Sequence, residues 1–269
     1  MKRLIPNSIK DLLKRMINRG LTTAGWKLAP FGSIVVDGQW YDGSIDGVVS
    51  KHRSPALDDA DFKRAIQHLC QRNAFLGLDQ AVRGETTMHR LHLAGQLARL
   101  SMGIEGDLVE FGTFRGATAY CMLNATKEKS IYLYDTFSGI PEHGVTDHER
   151  AVGLLGSFQD TSADFVRENL STFADRIHIR EGLIPDTLNQ PGPTNIAMMH
   201  VDLNLVKPTL QAIQWAFPRW ASGGICLLDD YLWDGYEDQR AGVERFFAEQ
   251  QRSIIALPTG QGIVFNITN

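Results

Sequence analysis

The chain has 269 residues, of which 43% are hydrophobic and 22% are charged. These fractions are those of an ordinary folded protein, so they exclude disordered, collagen-like and disulfide-scaffold classes. The formal net charge of -4 argues against nucleic acid as a partner, because domains that bind nucleic acid are normally strongly basic.

The cysteines and the hydropathy pattern indicate where the protein works. Three cysteines lie in apolar contexts without the paired spacing of a zinc site or a disulfide framework, so we expect them to be reduced core residues: Cys70, Cys121 and Cys226. No stretch approaches the roughly 20 apolar residues that cross a bilayer, and the N-terminus lacks the pattern of a signal peptide. The sequence therefore predicts a cytoplasmic protein.

Residues 1–84 are predicted to be a mainly helical N-terminal extension. The first twenty residues carry an apolar stripe flanked by Lys and Arg, which is typical of a basic amphipathic helix. We expect this helix to pack on its own domain or on a second subunit, and the second arrangement would make the protein a homo-oligomer. Contact with a membrane surface is not favoured. A β-prone arm with strands at 33–36 and 47–50 follows, and then helices at 58–81 and 85–100.

Residues 85–269 are predicted to form one α/β domain. After Gly106, short apolar runs alternate with helical segments, which is the pattern of a parallel sheet covered by helices. The predicted strands are residues 107–111, 130–135, 176–181, 195–202, 224–229, 253–258 and 262–266. The predicted helices are residues 115–126, 163–172, 207–219 and 239–251. The last two strands have no helix between them, so we expect a doubly wound, mostly parallel seven-stranded sheet closed by a β-turn-β unit.

A long segment, residues 138–160, follows the second strand of this domain. Open α/β sheets bind ligands at the carboxyl ends of their strands, so we interpret a connection of this length as a lid. His143 and His148 lie in it and are candidate bases, whereas His200, inside an apolar strand, is interpreted as a core residue. The chain has no G-x-S-x-G motif, so a hydrolase triad is not supported.

The segment Asp107-Leu-Val-Glu-Phe-Gly-Thr-Phe-Arg-Gly116 leads an apolar strand through two glycines into a helix. Such a turn brings backbone close to a ligand. The dinucleotide motif G-x-G-x-x-G is not matched, because Phe114 stands between Gly112 and Gly116, and NAD and FAD are therefore disfavoured. Glu110 suits a cationic group better than a phosphate, which favours S-adenosylmethionine. The alternative is a tight β-α turn with a solvated Glu110.

The next predicted strand ends at Asp135. An acidic side chain at this place typically accepts hydrogen bonds from both ribose hydroxyls of an adenosine. The alternative is that Asp135 caps a turn.

Three carboxylates end two further strands: Asp202, Asp229 and Asp230. In a doubly wound sheet these ends converge on one crevice, where the carboxylates would repel one another unless a divalent cation lies among them. Hard oxygen ligands select magnesium, manganese or calcium. The alternative is that one aspartate caps the next helix while another is protonated or paired with a nearby Arg or Lys.

Five segments, in this order and spacing, carry a family resemblance: Asp107-Leu-Val-Glu-Phe-Gly-Thr-Phe-Arg-Gly116, Tyr134-Asp-Thr-Phe-Ser-Gly-Ile-Pro141, Gly182-Leu-Ile-Pro-Asp-Thr-Leu188, His200-Val-Asp202 and Gly223-Gly-Ile-Cys-Leu-Leu-Asp-Asp-Tyr231. Across residues 87–247 the chain resembles the macrocin O-methyltransferase family, the TylF/MycF-like class I methyltransferases that act on sugar hydroxyls in macrolide biosynthesis. The resemblance implies a Rossmann-like methyltransferase fold.

The resemblance also implies the ligands of the site. S-adenosylmethionine would be held by Glu110, Gly112, Gly116, Asp135, Ser138 and Gly182. Mg2+ (or Mn2+) would be held by Asp202, Asp229 and Asp230. The acceptor would be a small molecule with a hydroxyl, as on a sugar.

The chain departs from the family pattern directly after the fourth predicted strand of this domain, residues 195–202. Where the family usually has Asp-Gly-Asp-Leu-Tyr, this chain has Asp202-Leu-Asn-Leu-Val206. The metal ligand is retained, but the second acidic position is Asn204, so we expect an altered acceptor pocket. No catalytic base is implied by the resemblance. The candidate bases are His143, His148 and Lys207.

The function that the resemblance implies is methyl transfer from S-adenosylmethionine to a metal-bound hydroxyl of a sugar or a glycosylated natural product. A metal-dependent nucleotide-sugar glycosyltransferase is one alternative, because Asp202-Leu-Asn204 resembles a degenerate D-x-D, but it leaves Glu110 and Asp135 unexplained. A module that binds S-adenosylmethionine only to stabilise a partner enzyme is another alternative. Such a module would not need three carboxylates in the crevice.

Overall fold

The structure is a computed structural model, and it describes residues 33–36, 39–42, 59–72, 74, 84–142, 144–151, 153, 155–233 and 235–267. The chain divides after Arg53 into two compact units. Among the described residues, no helix is long and apolar enough to cross a membrane.

The first unit contains a β-hairpin. Strand β1 (Ser33–Val36) pairs antiparallel with β2 (Gln39–Asp42). The first predicted strand is therefore confirmed, but its partner is β2. The predicted strand at 47–50 and the predicted basic helix in residues 1–20 lie outside the described residues.

The second unit holds the remaining elements. Its helices are α1 (Ala60–Gln71), α2 (Gly84–Leu100), α3 (Ala117–Ala125), α4 (Asp147–Ala151), α5 (Ala163–Asn169), α6 (Val206–Ala216) and α7 (Glu237–Glu249). Its strands are β3 (Asp107–Phe111), β4 (Ile131–Asp135), β5 (Ile177–Glu181), β6 (Ile196–Val201), β7 (Trp220–Leu228), β8 (Ile255–Ala256) and β9 (Gly262–Phe265). The domain boundary predicted at residue 84 stays a prediction, although α1 lies in the same unit as the sheet.

The seven strands form one sheet in the order β5-β4-β3-β6-β7-β9-β8. Strands β3 to β7 are parallel, and β9 is antiparallel to both β7 and β8. The predicted doubly wound, mostly parallel seven-stranded sheet is thus confirmed. Strand β8 is shorter than the predicted 253–258.

Helices cover both faces of the sheet, because successive strand side chains point to opposite sides. Leu108 packs in one core with side chains of α1, α2, α3 and α5, and its neighbour Val109 packs in a second core with side chains of α6 and α7. Met198 and Met199 divide in the same way. The near-continuous apolar strands of the sequence follow from this burial on both faces.

The three cysteines differ in burial. Cys121 and Cys226 are buried, as predicted for core residues. The prediction was wrong for Cys70, which is exposed on α1 because the adjacent Leu69 occupies the buried face of that helix.

The direction in which successive strands are added to the sheet changes between β3 and β6, which are parallel neighbours. From β3 it proceeds through β4 to β5 on one side, and β6 and β7 then extend the sheet on the other side. Crevices at such switch points, outside the carboxyl ends of the strands, are where open α/β sheets bind ligands. The residues that follow β3, β4, β6 and β7 therefore border one crevice.

Candidate active site

The glycine turn after β3 is fixed by neighbouring backbone. Gly112 has a φ of 88°, and a Cβ atom there would lie 1.8 Å from the carbonyl oxygen of Asp202. The N–H of Asp202 donates to the carbonyl oxygen of Phe111 at 2.7 Å, which brings the two loops together. Gly112 is therefore required by the contact between the β3 and β6 loops, a reason that the sequence did not indicate.

Asp135 fastens the glycine turn to the end of β4. Its Oδ2 accepts hydrogen bonds from the backbone N–H groups of Thr113 and Phe114, both at 2.7 Å. Its Oδ1 accepts one from the N–H of Phe137 at 2.7 Å. The turn-residue alternative is thus realised in the structure. A carboxylate has about four acceptor positions, so the predicted contact with a ribose would share this carboxylate with the turn.

Glu110 is buried and contacts a histidine from the adjacent strand. Its Oε1 lies 3.1 Å from Nδ1 of His200, and both side chains are 1% exposed. Its Oε2 is buried and has no hydrogen-bond partner among the described residues. This excludes the alternative in which Glu110 is solvated. An unpartnered buried carboxylate oxygen is a position where a cationic ligand group would be stabilised.

His200 joins the glycine turn to the acidic residues of the crevice. Its Nε2 lies 3.3 Å from Oδ1 of Asp229, so the imidazole bridges Glu110 and Asp229. Burial alone would lower the pKa of His200, but contacts with both carboxylates raise it to about 10. His200 is buried as predicted for a core residue, yet it contacts two predicted site residues.

The three aspartates converge at the ends of β6 and β7, as the sequence predicts. Ligand atoms of His200, Asp202 and Asp229 lie within 4.8 Å of one another. Burial, and then repulsion by Asp229, raise the pKa of both Asp202 and Asp230. Three acidic groups are therefore held closer together than their charges favour.

Arg90 from α2 neutralises part of this charge. Its Nη2 contacts Oδ2 of Asp229 and lies 2.9 Å from Oδ1 of Asp230. Gln261 donates a further hydrogen bond of 2.6 Å to Oδ1 of Asp229. Burial alone would raise the pKa of Asp229, but Arg90 and His200 lower it. The predicted alternative of an aspartate paired with an arginine is thus realised beside the cluster.

The formal charges of the cluster do not cancel. With all the acids ionised and His200 protonated, the described cluster holds four carboxylates and two cations, and two negative charges remain. The carboxylates are Glu110, Asp202, Asp229 and Asp230, and the cations are Arg90 and His200. Carboxylate oxygens are the ligands that Mg2+ and Mn2+ prefer. The residues present therefore fit a divalent cation, which would share Asp229 with Arg90.

A comparison with known families identifies the chain. Residues 67–255, more than half of its length, match the model of the macrocin O-methyltransferase (TylF) family. The chain belongs to this family. The resemblance predicted from the five segments is therefore confirmed.

The chain is similar to several curated members of the wider methyltransferase group. It is 28% identical over 153 residues to 8-demethyl-8-(2,3-dimethoxy-alpha-L-rhamnosyl)-tetracenomycin-C 4'-O-methyltransferase of Streptomyces olivaceus, a match that covers 52% of this chain and 58% of that protein. It is 26% identical over 143 residues to mycinamicin III 3''-O-methyltransferase of Micromonospora griseorubida, covering 48% and 56% of the two chains. The chain spans slightly more than half the length of the curated relatives it matches.

Solved structures share the fold. The O-methyltransferase NovP superposes with a TM-score of 0.60 at 21% identity, over 67% of this chain and 81% of that chain. CalS11, a calicheamicin methyltransferase, superposes with a TM-score of 0.57 at 19% identity, over 87% and 99%. These likenesses confirm the Rossmann-like methyltransferase fold of the TylF-family chain.

The remaining predicted cofactor residues of this TylF-family chain lie around Asp135. Gly116, with a φ of 82°, precedes α3, and a Cβ atom there would lie 3.4 Å from Cγ1 of Val166. Ser138 is exposed after β4. The N–H of Gly182, after β5, donates to the carbonyl oxygen of Asp135 at 2.9 Å. Their contacts with a cofactor stay predictions.

The candidate bases are less well placed than the acidic residues. His148 is half exposed on α4, where its Nε2 lies 3.7 Å from Oε2 of Glu237. Lys207 is exposed in the first turn of α6. His143 lies outside the described residues. The role of each as a base stays a prediction.

The predicted lid, residues 138–160, is attached to both sides of the crevice. Oε1 of the buried Glu149 accepts a hydrogen bond of 2.7 Å from the N–H of Val206, at the start of α6. At the other side, the ring of Phe158 lies 5.5 Å from that of Phe114 in the glycine turn. The segment therefore contacts the loops that carry both predicted binding sites.

Sequence reasoning missed Arg90 and Gln261. Arg90 lies 139 residues from Asp229 in the sequence, and Gln261 lies 32 residues away. No local spacing pattern connects residues so far apart. Only the packing of α2 and of the β8–β9 turn against the end of β7 brings them to the aspartate.

Proposed function

We propose that the protein is an S-adenosylmethionine-dependent O-methyltransferase that uses a divalent cation, Mg2+ or Mn2+, and methylates a hydroxyl of a sugar or a glycosylated natural product. The observation that carries this proposal is the convergence of acidic groups at the switch point of the sheet. Asp202 and Asp229 lie together, Asp230 shares Arg90 with Asp229, and the buried Glu110 is joined to them through His200. Membership of the macrocin O-methyltransferase family supports the same conclusion.

The cofactor would lie across the glycine turn. When bound, S-adenosylmethionine supplies a methyl group that is activated by a positively charged sulfur. The unpartnered Oε2 of Glu110 is suited to a cationic part of this ligand. Asp135 holds the N–H groups of Thr113 and Phe114 in place, so the turn is already shaped before a ligand binds.

The cation would be held by Asp202, Asp229 and Asp230. When bound, a divalent cation lowers the pKa of a coordinated hydroxyl and orients it. Arg90 and Gln261 restrain the Asp229 carboxylate, and His200 ties it to the cofactor side of the crevice. These contacts fix the distance between the two sites, which an in-line transfer requires.

The acceptor is proposed to be sugar-bearing. Two of the similar curated proteins are named for methylating a rhamnosyl-tetracenomycin and mycinamicin III. The lid would exclude water from the acceptor, and His148 and Lys207 are the described candidates for removing its proton.

The glycosyltransferase alternative is weakened by the geometry of Asn204. In a D-x-D site the second acidic residue, whose position Asn204 occupies here, offers an oxygen to the cation. The amide nitrogen of Asn204 instead donates a hydrogen bond of 2.9 Å to Oδ1 of Asp202. Its amide oxygen accepts a hydrogen bond of 2.9 Å from the hydroxyl of Tyr236. The amide nitrogen is therefore not a ligand, and the amide oxygen would have to be shared between the cation and the hydroxyl of Tyr236.

Calorimetric titration with S-adenosylhomocysteine tests the proposal without knowledge of the acceptor. We expect a dissociation constant in the micromolar range, and a separate binding isotherm for Mg2+ that Asp229→Asn removes and the exposed control Asp175→Asn retains. Circular dichroism establishes that each variant is folded. If the folded wild-type protein bound no S-adenosylhomocysteine with or without Mg2+, the cofactor assignment would be wrong.

Turnover distinguishes an enzyme from a module that only binds the cofactor. We expect transfer of a labelled methyl group to a member of a panel of glycosylated polyketides, with loss of transfer in Asp229→Asn. A protein that binds S-adenosylhomocysteine and Mg2+ but methylates no sugar-bearing acceptor would contradict the enzymatic part of the proposal.

A further inference from the structure

Asn204 lies in the loop after β6, beside the predicted metal ligand Asp202, and its backbone conformation is unusual. It lies three residues after β6 with a φ of 61°, in the left-handed region that Asn adopts more readily than other non-glycine residues. The residue is buried. Its backbone conformation turns the side chain back towards Asp202.

The hydrogen bonds of Asn204 run from Tyr236 towards Asp202. A carboxylate only accepts hydrogen bonds, so the amide Nδ2 of Asn204 donates to Oδ1 of Asp202 at 2.9 Å. The amide oxygen then accepts the hydroxyl proton of Tyr236, at 2.9 Å. The three side chains form a chain in which Tyr236 donates to Asn204 and Asn204 donates to Asp202.

The backbone around Asp202 is held by contacts that do not involve the hydrogen bonds of Asn204 and Tyr236. The N–H of Asp202 donates to Phe111 in β3 at 2.7 Å. The N–H of Val206 donates to the buried Glu149 at 2.7 Å. With the backbone fixed on both sides, the orientation of the Asp202 carboxylate is the freedom that remains, and Asn204 restrains it.

We infer that Asn204, anchored by the hydroxyl of Tyr236, is a positioning residue that orients the Asp202 carboxylate for the divalent cation. The amide of Asn204 is neutral and donates an N–H group, so it restrains Asp202 without adding a negative charge to the cluster. The inference rests on the proposed function, because it concerns the cation of that site.

The affinity of the 269-residue chain for Mn2+, measured by calorimetric titration, tests this inference. Asn204→Gly removes the amide, and glycine adopts the same φ without strain. Partners that orient metal ligands typically change metal affinity by about 10- to 100-fold, so we expect a loss of that size. Tyr236→Phe removes only the anchoring hydroxyl, and we expect a smaller loss in the same direction.

Two matched variants serve as controls. Asn195 also donates to a carboxylate, Glu105 at 3.0 Å, at the surface, and Tyr231 donates to Glu244 at 2.8 Å. Asn195→Gly and Tyr231→Phe should keep the wild-type affinity for Mn2+. All variants should keep the wild-type affinity for S-adenosylhomocysteine, which a general loss of structure would lower.

The double variant gives the decisive comparison. The hydroxyl of Tyr236 acts on Asp202 only through the amide of Asn204. The double variant Asn204→Gly, Tyr236→Phe should therefore bind Mn2+ no more weakly than Asn204→Gly alone. Unchanged Mn2+ affinity in both single variants, additive losses, or a parallel loss of S-adenosylhomocysteine affinity would each overturn the inference. A wild-type protein that bound S-adenosylhomocysteine but no Mn2+ would overturn it together with the metal part of the proposed function, while leaving the cofactor part standing.

Discussion

At the scale of single residues, the acidic crevice is a balance between repulsion and a few long-range partners. Asp229 is contacted by Arg90, His200 and Gln261, whereas burial and repulsion raise the pKa of Asp202 and Asp230. Arg90 also lies over the ring of Trp233 at 5.0 Å, which holds the guanidinium beside the cluster. Arg90 therefore neutralises part of the negative charge of the aspartates, and a bound cation would neutralise the rest.

Replacing Arg90 by methionine should make the stability of the protein depend on Mg2+. Removing one partner of a buried ion pair costs roughly 3 to 5 kcal/mol, and Asp229 and Asp230 would lose their guanidinium. Mg2+ binds the folded state and replaces the missing charge, so we expect it to raise the thermal midpoint of Arg90→Met more than that of the wild type.

The control for this prediction is Arg240→Met, which disrupts an exposed ion pair with Glu244 at 4.0 Å. It should change stability little. An equal response of all three proteins to Mg2+ in thermal unfolding would show that Arg90 does not share the carboxylates with a cation.

A pair of glycine substitutions separates backbone strain from steric contact. Gly112 and Gly144 have similar φ values of 88° and 86°, but a Cβ atom meets Asp202 only at Gly112, with nothing within 4 Å at Gly144. Gly144→Ala should cost about 1 to 2 kcal/mol from its left-handed conformation. Gly112→Ala should prevent the β3 and β6 loops from approaching and cost several times more, as urea unfolding would measure. Equal losses would contradict the close approach.

At the scale of elements, two helices, α1 and α5, begin at a side-chain cap. Asp59 accepts a hydrogen bond of 2.9 Å from the N–H of Phe62 at the start of α1, and Ser162 accepts one of 3.1 Å from Phe165 at the start of α5. The apolar periodicity predicted the starts of these two helices to within two residues. The segment between β4 and α5 was less predictable, because Glu149 of α4 is fixed by a contact with Val206.

The cap of α1 should give a pH-dependent contribution to stability. The backbone hydrogen bond from Phe62 lowers the pKa of Asp59. A carboxyl with a lowered pKa stabilises the folded state above its unfolded pKa, and this contribution is lost as the pH falls through the folded pKa. Asp59→Ala should cost about 1 kcal/mol at pH 7 and less at pH 3.

Ser162→Ala is the matched control, because it removes a cap that does not titrate. Its cost should be the same at both pH values in denaturant unfolding. If the cost of Asp59→Ala were also independent of pH, the ionised carboxylate would not be the source of the capping energy.

At the scale of the whole molecule, the parallel strands on both sides of the switch between β3 and β6 place the acidic site residues at one end of the sheet. Glu110 comes from β3, Asp135 from β4, Asp202 follows β6 and Asp229 follows β7. The helices on one face include α1, whose Phe62, Ala65 and Leu69 are buried in the same core as Leu108. The sheet therefore depends on a helix that the sequence assigned to the N-terminal extension.

Two truncations test where the independently stable part begins. A chain of residues 54–269 keeps α1, so we expect it to unfold cooperatively. A chain of residues 85–269 lacks α1 and exposes the apolar surface that Phe62, Ala65 and Leu69 cover, so we expect loss of cooperative unfolding. Equal thermal midpoints of the two truncated chains would instead support the boundary predicted at residue 84.

The sequence by itself determined the architecture and the carboxylates of this protein. Strands buried on both faces have apolar runs that are visible locally, and the predicted bounds of β3 agree with the structure. Asp202, Asp229 and Asp230 were predicted to converge because parallel strands end at one edge of a sheet. These features depend on short-range patterns and on topology rules that hold for all such sheets.

Only the tertiary structure decided how the crevice is neutralised and oriented. Arg90 reaches Asp229 from a helix far away in the sequence, and Tyr236 reaches Asn204 across 32 residues. Asp135 accepts two hydrogen bonds from the glycine turn after β3. Side-chain hydrogen bonds and ion pairs act over about 3 to 4 Å, so they depend on the packed positions of separate elements. A residue's type and spacing in the sequence carry no record of those positions.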